Sequence, residues 1–140
     1  MEVKVKKLDS RAKLPTKATE GSACYDVYAL EDTFLVSRWS TLVGTGLSVE
    51  VPKGYMLDIR PRSGLARSGI VVNNSPGTLD SDYRGELKIM LYNQSDVGRW
   101  VKAGDRIAQV RLVEILDIEW VEGELSETER GIGGFGSTGR

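Results

Sequence analysis

Short runs of alternating apolar and polar residues recur along most of the chain, and turn residues punctuate them. Val3-Lys4-Val5-Lys6-Lys7-Leu8 alternates with period two and reads as a strand. Ala23 to Leu30 mixes apolar residues with one acid, Asp26. Trp39 to Val51 is a β-rich run broken by Gly44 and Gly46, and Pro52-Lys53-Gly54 turns the chain after it. Tyr55 to Arg60 alternates again, with Tyr55, Leu57 and Ile59 on one face. Ile70 to Asn73 and Leu87 to Tyr92 read as strands, and Arg99 to Lys102 is a short one between two turns. Arg106 to Glu114 is a longer strand in which Ile107, Gln109 and Arg111 share one face and Ala108, Val110 and Leu112 the other. Short strands with turn signals about every ten residues predict an all-β sandwich or barrel.

Two stretches interrupt this pattern. Pro61 to Gly69 is too short for an ordinary helix and is expected to make about one turn. Arg62 and Ser63 then lie at its start, where a guanidinium, a hydroxyl and backbone N–H groups suit an anion. In the second stretch, Asn74 to Glu86, Pro76-Gly77 marks a break and Thr78-Leu79 a short strand leading to Asp80. Ser81-Asp82 offers turn chemistry. With Leu87 to Tyr92 this segment is expected to form a β-hairpin carrying Asp80, Asp82 and Tyr83 near its bend.

Composition narrows the chemistry. At 140 residues the chain is expected to be one domain. A net charge of −1 gives no global field for nucleic acid or an acidic membrane, so neither is an expected partner. No apolar run approaches ~18 residues, and Met1 to Lys7 is neither a signal nor a transit peptide, so an intracellular location is expected, cytoplasmic with the nucleus as the alternative. The single cysteine, Cys24, permits no internal disulfide. The absence of histidine excludes Ser-His-Asp and Cys-His machinery and weighs against a zinc site. A general base must then be Asp, Glu, Lys or Tyr.

The C-terminal stretch is of another kind. From Arg130 it holds Gly131, Gly133, Gly134, Gly136 and Gly139 and only two large apolar residues, Ile132 and Phe135. Ordering each backbone residue costs roughly 1–2 kcal/mol, and so few apolar groups cannot offset it without an external partner. Glycines let N–H groups approach phosphate oxygens, Ser137 and Thr138 add hydroxyls, Arg130 adds charge, and Phe135 is a surface for a base.

Together these segments resemble the trimeric dUTPase family. Five motifs occur in the family's order: Ala23 to Ala29, Pro61 to Ala66, Gly77 to Glu86, Gly104 to Gln109, and Arg130 to Gly139. Cys24 stands where the family usually has glycine, and Thr78-Leu79 replaces a commoner β-branched pair. Local repacking around Cys24 is expected, unless that position needs positive φ.

The resemblance implies a jelly-roll-like β-barrel over residues 1–125 and a flexible glycine-rich arm over 126–140. It implies a homotrimer with shared active sites, the arm of one chain closing the site of another, and hydrolysis of dUTP to dUMP and pyrophosphate. Asp80 would hold and deprotonate the water that attacks the α-phosphorus. Tyr83 would lie under the deoxyribose and exclude a 2′-hydroxyl. Asn74, Gly77, Thr78 and Leu79 would read uracil, with Asn73 a rival for the Asn74 role. Arg62, Ser63, Gly64 and Gln109 would bind phosphates, and Lys88 would contact the ligand. Arg130, Gly136, Ser137 and Thr138 would clamp the distal phosphates under Phe135, which covers the base. Asp26 would support the site and metal waters. Mg²⁺ would be held by phosphate oxygens and water, with no direct protein ligands. Rival readings are a dCTP deaminase of the same fold, a dUTP-dependent sensor, and a purely structural jelly roll.

Overall fold

A computed structural model describes residues 1–139. Ten strands and one helical turn follow in order: β1 (Lys4–Lys7), β2 (Tyr25–Tyr28), β3 (Thr33–Leu35), β4 (Ser40–Glu50), β5 (Tyr55–Arg60), α1 (Ser63–Arg67), β6 (Ile70–Val72), β7 (Gly77–Leu79), β8 (Glu86–Asn93), β9 (Arg99–Val101) and β10 (Arg106–Glu114). One sheet has the order β1-β4-β8-β6 and the other β2-β10-β5-β7, while β3 and β9 pair separately. All the pairings are antiparallel.

Alternation explains the layering, because successive strand residues point to opposite faces. In β8, Leu87, Ile89 and Leu91 are buried while Lys88 is exposed. In β5, Leu57 and Ile59 join the same apolar core, to which Val27, Val43, Leu35 and Val110 also belong. The two inner faces thus enclose one core, the jelly-roll-like β-barrel expected from the sequence.

Three expectations needed correction. Gly44 and Gly46 do not break β4; its pairing with β8 instead shifts register between Gly44 and Ser48. A Cβ at Gly44 would lie 2.6 Å from Glu86 Oε1, so the strand bends around that carboxylate, which also accepts from Gly46 N at 2.9 Å. In β10, Ile107 does not share a face with Gln109 and Arg111. A bulge between Arg106 and Ala108 puts Ile107 and Ala108 both in the core and leaves Gln109 and Arg111 outside. The third concerns the expected hairpin. β7 pairs with β5, and β8 lies in the other sheet between β4 and β6, so Asp80 to Gly85 crosses between the layers.

Asn93 fixes the far end of the barrel. It is fully buried, donates to the carbonyls of Leu35 (3.1 Å) and Val97 (2.9 Å), and accepts from Ser95 N (3.0 Å) and Ser95 Oγ (2.6 Å). Asn93→Ala strands these partners at once and should cost about 2–4 kcal/mol, read as a lower urea midpoint at unchanged slope. An unchanged midpoint would show that water replaces the amide.

Candidate active site

The phosphate-type donors gather at one end of β5. Arg62 precedes α1 with extended backbone, and Ser63 and Gly64 beside it are exposed. Arg62 Nε donates to Asp26 Oδ1 at 3.0 Å, and its Nη1 donates to the carbonyl of Arg106 at 3.2 Å. Arg106 Nη1 lies 3.5 Å from the other Asp26 oxygen. Asp26 is only 8% exposed, so the carboxylate is a fixed anchor that sets the guanidinium in place. Gln109, opposite Asp26 in the β2–β10 register, donates from Nε2 to the carbonyl of Pro61 at 3.0 Å. Arg106 had no role in the sequence reading. The signal available was its place in the Gly104-to-Gln109 motif, but nothing in strand alternation shows that a buried acid on the neighbouring strand would engage it.

β7 carries the second group. A Cβ on Gly77 would stand 3.2 Å from Ile59 Cβ and 3.3 Å from the Asn74 amide nitrogen, so the bare backbone lets Asn74 fold against the strand. Asn73 is taken elsewhere, donating to Ser40 Oγ at 2.6 Å. Leu79 is buried and pins the strand, while Thr78 and Asp80 are exposed. Tyr83 folds back over Gly85, its hydroxyl donating to the Glu86 carbonyl at 3.1 Å. Lys88 lies apart on the outer face of the other sheet, 3.7 Å from Glu86.

The two groups do not meet within one chain. Ile59 faces Gly77 and Leu57 faces Leu79, so the chain at Asp80 runs on toward the start of β5. At ~3.3 Å per residue, the six positions from Met56 to Arg62 separate Asp80 from the arginine by on the order of 20 Å. Groups that act on one phosphorus must stand within about 3–3.5 Å of the reacting atoms.

The arm also stands away. Ile115 N donates to the Gly54 carbonyl at 2.9 Å, and beyond it the recorded hydrogen bonds are local turns between Thr128 and Gly139. Arg130 Nε donates to the Gly133 carbonyl at 2.8 Å, Phe135 is fully exposed, and Gly136, Ser137 and Thr138 follow it as exposed residues. Cys24 does not have positive φ; among non-glycine described residues only Arg38 and Phe135 do. The departure at Cys24 therefore carries no backbone strain.

The dUTPase family profile matches residues 10–139. This chain belongs to the dUTPase family. It is 47% identical to a deoxyuridine 5'-triphosphate nucleotidohydrolase of Nautilia profundicola, across the whole of both chains. It is 49% identical to the enzyme of that name from Hydrogenobaculum, covering 99% of each. Among solved dUTPase structures, that of Staphylococcus bacteriophage 80alpha with dUPNHPP superposes with a TM-score of 0.87 at 26% identity, covering 99% of both chains. The dUTPase barrel accounts for the two sheets, and all five motifs fall within the matched span.

Among the described residues no group of three or more Asp, Glu or Cys is placed to hold a metal ion, and no helix is long and apolar enough to cross a membrane.

Proposed function

We propose that this chain hydrolyses dUTP to dUMP and pyrophosphate, using a site assembled from three copies. The observation that carries the reading is the fixed Arg62, ion-paired to Asp26 and flanked by Ser63, Gly64 and Gln109, which forms a cradle for phosphate oxygens. Among the described residues outside its own helical turn and chain neighbours, nothing lies within 4 Å of a Cβ built on Gly64, so that open space is available to a ligand. The names of the relatives supply the nucleotide. The separation of Asp80 from this cradle favours a second copy as its source, and the detached arm favours closure by another copy. A homotrimer with a barrel over 1–125 and a closing arm over 126–140 meets both needs.

In this arrangement Asp80 orients and deprotonates the attacking water. Tyr83 packs under the sugar, and Asn74 with the backbone of Gly77, Thr78 and Leu79 reads the uracil edge. Lys88 adds charge near the ligand. Arg130, Ser137 and Thr138 close on the distal phosphates, Gly136 lets the backbone approach, and Phe135 covers the base. Mg²⁺ carried in on the triphosphate would supply charge neutralisation at the phosphate oxygens, and Asp26, the carboxylate beside the cradle, would accept hydrogen bonds from its waters.

The test is pyrophosphate release with Mg²⁺ from dUTP, dTTP, dCTP and UTP. Release from dUTP alone is the expected result. Ammonia from dCTP would establish the deaminase instead, and tight dUTP binding without turnover would establish the sensor.

A further inference from the structure

The phosphate cradle depends on how Asp26 divides its two oxygens. Its backbone is held from both sides. Asp26 pairs with β10 opposite Gln109, and on its other side Asp26 N donates to the Thr16 carbonyl at 2.7 Å while Thr16 N donates back at 3.1 Å. The carboxylate therefore starts from a fixed point, with Arg62 Nε on Oδ1 and Arg106 Nη1 facing Oδ2. Arg106 reaches it through the β10 bulge. With Ile107 and Ala108 both turned into the core, the residue before them returns to the side that Asp26 occupies. Hydrogen bonds fix the approach to this position. Ala29 N donates to the Asp105 carbonyl at 2.9 Å, and Lys102 N donates to Asp105 Oδ2 at 2.8 Å.

Arg62 offers Nε, Nη1 and Nη2. Nε goes to Asp26 Oδ1 and Nη1 to the carbonyl of Arg106, and among the described residues Nη2 has no partner. Nε and Nη2 form the edge of a guanidinium that a carboxylate commonly grips with both oxygens. Asp26 grips only half of that edge, because its second oxygen faces Arg106 instead. Stability alone does not call for this second arginine. Its side chain is 49% exposed and meets Oδ2 at 3.5 Å, and an ion pair so open to solvent adds little to folding. What it decides is the angle of the carboxylate, and with it the Arg62 nitrogen that is left over.

We propose that Arg106 is a positioning residue for the triphosphate: by drawing Asp26 Oδ2 to itself, it keeps the carboxylate from closing on the whole Arg62 edge and leaves Nη2 for a phosphate oxygen. The inference rests on the proposed reaction, in which Arg62 is a phosphate donor. The probe is dUTP with NH in place of the oxygen between the α and β phosphorus atoms, titrated calorimetrically into the full chain. Arg106→Gln should weaken its binding about tenfold, the scale of one lost hydrogen bond to a charged group. Arg106→Lys, which returns a cation to Oδ2, should recover most of that loss. In an Arg62→Gln background the Arg106→Gln change should cost less than about threefold, because it acts through Arg62. Deoxyuridine, which has no phosphate, should inhibit binding of the probe equally well in every variant. Arg106→Met keeps the side-chain stem and takes the place of the glutamine variant if that one fails to fold. Equal losses in both backgrounds would make Arg106 an independent phosphate contact, and a parallel loss of deoxyuridine would make it structural. Either result overturns the positioning role, as does the absence of any loss. Pyrophosphate release from dUTP is read separately on the unaltered chain, so binding of the analogue without turnover defeats the proposed reaction and leaves the Arg106 comparison intact.

Discussion

Asp80→Asn leaves a folded protein that still binds dUTP and turns it over about 10²–10⁴-fold more slowly, the range for removing a positioned general base. Asp80 is exposed just past β7 and among the described residues its side chain makes no hydrogen bond to the barrel, so stability should barely change. Asparagine keeps the shape and one acceptor oxygen but cannot take a proton. Since phosphoryl transfer depends largely on positioning and charge stabilisation, part of the rate survives through water held by the remaining oxygen. The loss should fall in kcat with little change in dUTP affinity. Near-normal turnover would remove Asp80 from the mechanism.

Ending the chain at Glu129 should be nearly as severe for activity and mild for folding. The barrel's hydrogen bonds end at Ile115, and among the described residues those beyond it are local turns between Thr128 and Gly139. The truncated protein should keep its melting midpoint and its oligomeric state while losing at least about 10²-fold in kcat/KM, a conservative figure beside the 10³–10⁵ that a catalytic arginine contributes in other phosphoryl-transfer enzymes. Adding dUTP should then raise the midpoint less than in the full chain, because fewer contacts hold the nucleotide. A truncated protein that unfolds, or one that stays fully active, would refute the closing role of the arm.

The strands were legible because a two-residue period survives wherever one face is buried. Leu57 and Ile59 show this on β5, and Leu87, Ile89 and Leu91 on β8. The helical turn at Ser63 was legible from its length and its glycines. Pairing was not. β7 and β8 are separated by a turn-rich stretch, which favours a hairpin locally, yet both sides of β8 are taken by β4 and β6. Local sequence does not reveal which edges are free. Ile107 failed for a related reason, because a bulge resets alternation and leaves no residue signature of its own.

The candidate residues were named from motif resemblance, whereas the links between them had to be seen. Asp26 holding Arg62 depends on β2 and β10 lying side by side, and Asn74 rather than Asn73 is free because Ser40 on a distant strand engages Asn73.

The distance along β5 also has a genetic meaning. A chain damaged at Asp80 and another damaged at Arg62 each lack something the other still carries. If such chains mix freely in a closed oligomer, about one site in four draws both parts from intact donors. Two null alleles of this kind would complement each other in the same cell, while a single allele with both lesions would rescue neither.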